Sequence, residues 1–301
     1  ERSNNDNNDS KTNMAGEDFS MLLLLERPIK KEELKVSFAE KYNREPTALD
    51  DLTEEIWRTA LSKNPSTFDG SKFRLGKIKE GSEGVKISLG LTGYKEYLAT
   101  NQLDEVLFKG LVDDGKVAFR NPNAHLSNAL GCEALLLTSD DKALFLRRSS
   151  KVATHSGLYN GPSGHPEPKN IGVPAEGSEA IKFFQTAKEE ELPTEDAIRN
   201  ELFESVTSEI VAETNIAAEN LSEPLLMACM TDSRRKPDML FFVRASIDSE
   251  AITRLYNEGA EEGWESDRLA FVAVQDLRST QLPFTAVTKA AIEAYLTQQG
   301  G

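Results

Sequence analysis

The segment Thr194–Thr214 constrains most narrowly what this chain can fold into. At about 100° per residue, Ile198, Leu202, Phe203, Val206 and Ile210 form one apolar arc, so the segment predicts a long amphipathic helix packed on a core. Glu209 and Glu213 fall on the same arc, roughly 20° either side of Leu202. Like charges four residues apart on a helix repel, and burial raises the cost of ionising them. The helix alone leaves two explanations open. Either both carboxylates reach past the edge of the stripe into water, or a bound cation removes both penalties. Hard carboxylate oxygens suit Mg2+, with Mn2+ as a substitute.

Charge narrows the partners. The 301 residues carry a net charge of -15, which argues against a nucleic-acid polymer, whose phosphates need a basic surface. A small phosphorylated ligand remains compatible, provided a divalent cation lies between it and clustered carboxylates. His125, His155 and His165 are too scattered for a zinc site. The apolar stretch Met21–Leu25 is too short for a membrane span or a signal-peptide core. Cys132 and Cys229 could pair, but nothing requires it, so a reducing cytoplasm is the expected location.

Residues 1–19 are polar and predict a disordered tail. An α+β amino-terminal unit is expected over 20–118. It has strands at Met21–Leu25 and Leu34–Phe38, a helix capped by Thr47, and a hairpin of Phe73–Ile78 with Val85–Leu91. The second unit, 119–301, is expected to open with the strand pair Cys132–Thr138 and Ala143–Arg147. A Gly/Pro-rich passage, Gly157 to Pro168, follows, then a polar insertion or flexible loop at about 169–193 and the long helix. Strands at Leu225–Thr231, Met239–Ala245 and Leu269–Val274 and helices near Glu250–Tyr256 and from Thr285 complete it. Arg234-Arg235-Lys236 reads as a hairpin turn.

The helix and the passage before it resemble the two halves of a known motif. Pro162-Ser163-Gly164-His165-Pro166-Glu167 and Ser208-Glu209-Ile210-Val211-Ala212-Glu213-Thr214-Asn215-Ile216 resemble the opening and close of the box of the Nudix hydrolase superfamily. That box reads Gly, five residues, Glu, seven residues, then Arg-Glu-aliphatic-x-Glu-Glu-x-Gly-aliphatic. Ser163 stands where a glycine is usual, Ser208 replaces the arginine, Ala212 one glutamate, and Asn215 the closing glycine. Gly164 and Glu209 lie 45 positions apart, so about thirty residues are inserted, and the box's intermediate glutamate has no clear counterpart. Phe73-Arg74-Leu75, the run Leu89 to Asn101, Gly164-His165-Pro166-Glu167-Pro168 and Glu201-Leu202-Phe203-Glu204-Ser205-Val206 are similar to one divergent branch. That branch hydrolyses UDP-glucose and UDP-galactose to UMP and the sugar 1-phosphate.

The resemblance implies an α+β chain: an α/β/α-sandwich Nudix fold with an additional α+β amino-terminal domain. It implies a Mg2+-dependent pyrophosphohydrolase acting on a small nucleotide sugar, with Glu209 and Glu213 as metal ligands. Glu265, just before the last strand, is the candidate general base or third ligand. Arg147 and Arg148 are candidates to grip phosphate, and strand alternation should turn only one of them inward. Arg74 and Tyr94 are candidates to contact nucleotide or sugar, and His165 to orient its loop. Two alternatives stay open: another nucleotide diphosphate as substrate, such as ADP-ribose or a dinucleoside polyphosphate, or an inactive fold that only senses a nucleotide.

Overall fold

The computed structural model describes residues 15–16, 18–82, 84–150 and 156–300. Among the described residues, twelve strands and eight α-helices follow one another. The strands are β1 (Ala15–Gly16), β2 (Phe19–Ile29), β3 (Leu34–Phe38), β4 (Ser71–Gly81), β5 (Gly84–Gly93), β6 (Gly131–Leu137), β7 (Lys142–Arg148), β8 (Tyr159–Asn160), β9 (Ser163–Gly164), β10 (Leu225–Asp232), β11 (Pro237–Arg244) and β12 (Ser266–Ala273). The helices are α1 (Thr53–Lys63), α2 (Tyr94–Ala99), α3 (Glu105–Phe119), α4 (Gly177–Ile181), α5 (Phe183–Thr186), α6 (Glu195–Thr214), α7 (Ser249–Glu258) and α8 (Ala286–Gln299).

A large mixed sheet runs β1-β2-β10-β11-β6-β7-β12, with β6 and β11 parallel. Alternation along its strands makes two faces. One carries Cys132, Ala134, Leu136, Leu144, Leu146, Met239 and Phe241 against α6 and α7. The other carries Leu135, Leu137, Phe145 and Leu240 against α8. The result is the expected three-layer α/β/α arrangement. A three-stranded sheet, β3-β5-β4, packs Phe73, Ile87, Leu89 and Leu91 into the same core as Ile198 and Leu202 of α6.

Two parts of the expected domain plan differ. The first strand of the proposed amino-terminal unit is not in that unit's sheet: β2 pairs antiparallel with β10, Leu24 opposite Ala228. Its alternate side chains Leu23 and Leu25 complete one face of the large sheet. The tail expected over 1–19 falls, for its first fourteen residues, outside the described part, whereas Ala15–Gly16 pairs with Phe19–Ser20. The inserted segment is also no loose loop. It forms α4 and α5, buries Val173, Ala180 and Phe183 in the main core, and ties to the start of β4 through Ser71 N–H to Ala175 O (2.8 Å) and Gly177 N–H to Asp69 O (2.8 Å). Its few apolar residues are spread among polar ones, so local composition hides the docking face.

Strands β6 and β7 pair only at Leu136–Leu144 and Leu137–Ala143. Beyond that point β9 takes the edge of β6 and β8 the edge of β7, so the Gly/Pro-rich passage enters the sheet between them. This opening positions the site. Cys132 and Cys229 are buried free thiols, each opposite Met239 of the strand between them. Among the described residues no helix is long and apolar enough to cross a membrane.

Candidate active site

Helix α6 begins at Thr194, whose hydroxyl accepts the Ala197 N–H, and ends at Asn215 in the left-handed conformation (φ 61°). Asparagine tolerates that conformation better than most residues, which accounts for its standing where the box closes on glycine. Its side chain also donates to Leu255 O of α7 (3.1 Å). The apolar arc is seated as expected, with Phe203 edge-on to Phe241 of the sheet at 5.1 Å. Burial of Ile198, Leu202, Phe203, Val206 and Ile210, worth about 1.5–3 kcal/mol each, is what holds two carboxylates in an unfavourable place.

The extended run from Pro162 to Pro168 crosses this helix. Prolines at 162, 166 and 168 have no N–H to satisfy, and the remaining alternate N–H groups turn to α6. Ser163 N–H donates to Glu213 Oε2 (3.1 Å), His165 N–H to the Glu209 carboxylate, and Glu167 N–H to Glu201 Oε1 (2.7 Å). Gly164 is needed for this approach. A Cβ there would sit 2.6 Å from Glu209 Oε2, with Oε1 and Cδ nearer still.

The electrostatics are those of buried carboxylates crowded by like charge. Burial, then Glu209, holds Glu213 well above the ordinary carboxylate range. Burial, then Glu262, pushes Glu209 up to about 7; the His165 N–H opposes this, while Glu265 and Glu167 add to it. Glu265 is raised by burial and by Glu262, and Arg148 opposes the rise. Glu262 was missed in the sequence because it lies in an unpatterned acidic run. Its N–H donates to Ala212 O (2.9 Å), and Glu265 N–H to Glu262 O (2.9 Å), so this loop is pinned to α6 between the two key glutamates.

Among the described residues no three His, Cys, Asp or Glu side chains are grouped to hold a metal ion together. Glu265 therefore does not complete a ready-made three-carboxylate set. The residues still fit Mg2+, which commonly binds through one or two carboxylates and takes its other oxygens from water and substrate phosphates. A cation at Glu209 and Glu213 would offset both the burial and the like-charge repulsion that raise them.

The two arginines of β7 separate. Arg147 makes a bidentate pair with Asp267 (2.7 and 2.9 Å). Arg148 follows Leu144 and Leu146 on the α6 face and lies within electrostatic reach of Glu265. Arg74 is a correction to the expected ligand contact. It is 3% exposed and donates to the carbonyls of Tyr42, Asn123, Ala124 and Leu126, so its guanidinium is spent on backbone. Burial brings its pKa down to about 10. Tyr94 is half-buried and stacks on Tyr97 (6.2 Å between centroids). The His165 ring is held neutral by burial and by Lys236 and Lys72, so its main chain does the orienting. Lys236 is largely buried and pairs with Asp238 (2.5 Å), a firmer role than a solvated turn. His125 is structural, bonded to Glu45 O and Asp114, and His155 lies outside the described residues.

No family model matches the chain. Among curated proteins, Nudix hydrolase 9 of Arabidopsis thaliana is 34% identical over 283 residues, covering 88% of this chain and 86% of that protein. The uridine diphosphate glucose pyrophosphatase NUDT22 of Bos taurus is 32% identical over 275 residues, covering 88% and 90%. The Homo sapiens protein of that name is 32% identical over 275 residues, covering 87% and 86%. Among solved structures, a MutT protein from Methanosarcina mazei Go1 aligns at 14% identity with a TM-score of 0.36, covering 57% of this chain and 95% of that one. Identity above 30% over most of both partners settles the family: this chain belongs to the Nudix hydrolases.

Proposed function

We propose that the chain hydrolyses the pyrophosphate bond of UDP-glucose or UDP-galactose to UMP and sugar 1-phosphate, with Mg2+ (or Mn2+) held by Glu209 and Glu213. The observation that carries this reading is the pair of buried carboxylates on α6, each fastened by a loop N–H in a pocket of like charge. The substrate class comes from relatives named as UDP-glucose pyrophosphatases. A bound Mg2+ would neutralise charge on the phosphoryl oxygens. Arg148 would offer paired donors to phosphate and Tyr94 an aromatic face to base or sugar. Glu265, with its affinity for protons raised, accepts a proton from the attacking water as the bridging P–O bond breaks.

Product analysis with UDP-glucose, with Mg2+ and with chelator, tests the reading. UMP and glucose 1-phosphate formed only with metal is the expected result; metal-dependent binding of UDP without turnover would refute hydrolysis. That second reading, a nucleotide sensor, is favoured by the lack of a third grouped ligand among the described residues. Turnover of ADP-ribose or a dinucleoside polyphosphate instead would keep the chemistry and overturn the substrate.

A further inference from the structure

Three of the four N–H groups of the Pro162–Pro168 run meet three carboxylates in an oblique row along α6: Glu213, Glu209 and Glu201. Two of these would share their lone pairs with a metal. The third, Glu201, lies two turns before Glu209 and is 8% exposed. Its carboxylate accepts the Glu167 N–H at 2.7 Å and the Asn170 side-chain amide at 3.3 Å to each oxygen. Glu167 is held from the other side by Lys72 of β4 (3.0 Å) and by Lys169. The loop is thus clamped between α6 and the small sheet at the end remote from the metal pair.

We propose that Glu201 is a positioning residue: it fastens the loop onto α6 so that Ser163 and His165 present their N–H groups to Glu213 and Glu209. The need for such an anchor is chemical. A metal on Glu209 and Glu213 draws on the same oxygens that hold the loop, so those two rungs weaken as the metal binds. Glu201, outside the metal's reach along the helix, keeps the loop in place when that happens. A carboxylate is suited to this, since it accepts several charge-assisted bonds at once. Groups that orient metal ligands in this way commonly change metal affinity by about 10–100-fold when removed. The inference rests on the proposed metal role of Glu209 and Glu213.

The test uses the full chain as wild type, Glu201→Ala, Glu201→Gln and Asn170→Ala. Amide hydrogen exchange over 163–171 is read without metal, and Mn2+ and Mg2+ dissociation constants are read by calorimetry. Glu201→Ala should speed exchange in that segment and raise both constants about 10–100-fold. Glu201→Gln, which keeps an acceptor oxygen for the Glu167 N–H, should restore most of both. Asn170→Ala, at an exposed position, should shift both in the same direction by less, and it carries the test should Glu201→Ala not fold. Wild-type exchange and affinity in Glu201→Ala, or a glutamine variant as impaired as the alanine one, would overturn the proposal. A wild type that binds neither metal would sink the proposed function, while the exchange data would still decide whether Glu201 holds the loop.

Discussion

Replacing Gly164 with alanine tests the proposed metal role of Glu209 and Glu213 apart from the rest of the fold. Gly164 is not among the glycines with positive φ, so the substitution brings no left-handed strain and its effect is steric. The new Cβ would stand 2.6 Å from Glu209 Oε2, with Oε1 and Cδ closer, whereas ordinary contact begins at 3.4 Å. The carboxylate must therefore retreat by on the order of 1 Å, and the loop N–H of His165 with it. A displacement of that size at a catalytic group costs about 100-fold in rate. The stability cost is smaller, about 1–3 kcal/mol for an overpacked contact, because Glu209 is a flexible side chain beside a partly open site. The assay is metal-dependent UMP release alongside calorimetric titration with Mn2+, in the wild type, Gly164→Ala, Glu209→Ala and the double variant. The stability effect of Gly164→Ala should largely vanish once Glu209 is shortened, a coupling that a double-mutant cycle measures. Wild-type turnover and affinity in Gly164→Ala, or the same destabilisation with and without the Glu209 carboxylate, would refute the geometry.

The remaining predictions concern charge. Glu209 in the metal-free protein titrates at about 7 against an ordinary 4.5, so the folded state holds its proton more tightly than the unfolded chain. The stability this confers is present below about pH 4.5 and is lost as pH rises through about 7. Glu209→Gln should therefore stabilise the metal-free protein at pH 7.5 by roughly 2 kcal/mol and have little effect at pH 4.5; thermal melts at both values check it. Arg74→Met should cost roughly 3–5 kcal/mol in urea unfolding, since four carbonyls each lose a donor and those of Tyr42 and Leu126 lose the side-chain donor that meets them, with little change in KM. Arg147→Ala removes a solvent-screened pair and should leave both stability and turnover near normal. Arg148→Ala should raise KM about tenfold through a lost phosphate contact, and equal effects at the two arginines would contradict their separation by strand face.

What the sequence disclosed tracks how local each signal is. Helix α6 was legible to its caps because five apolar residues at helical spacing and Thr194 are all contained within it. The hairpin of β4 and β5 was legible for the same reason, since Val85, Ile87, Leu89 and Leu91 alternate without interruption. The partner of β2 was not, because β10 lies two hundred residues on and pairing between such strands leaves no local pattern. Arg74 and Arg148 look alike in a sequence. That the Arg74 guanidinium is spent on carbonyls is decided by Leu126, Asn123 and Tyr42, which only the fold brings around it. Glu201 escaped notice because it stands about 100° from Leu202, off the centre of the arc, and owes its burial to the loop that covers it.

The broken box is then a matter of distribution. Ala212 supplies no carboxylate, but its carbonyl receives the N–H of Glu262, which brings a third acid within electrostatic reach of both Glu209 and Glu213. Asn215 ends the helix in the conformation that a glycine would otherwise provide. Ser163 keeps the main-chain donor that the position requires, because a backbone N–H does not depend on the side chain. The inserted segment follows directly on that loop and anchors it to β4 through Ala175 and Gly177. The departures at Ala212 and Ser163 are thus met by backbone groups and by a residue from another segment, so the acidic pocket depends on the fold more than on the string, and Glu209 and Glu213 keep the spacing that one turn of helix imposes.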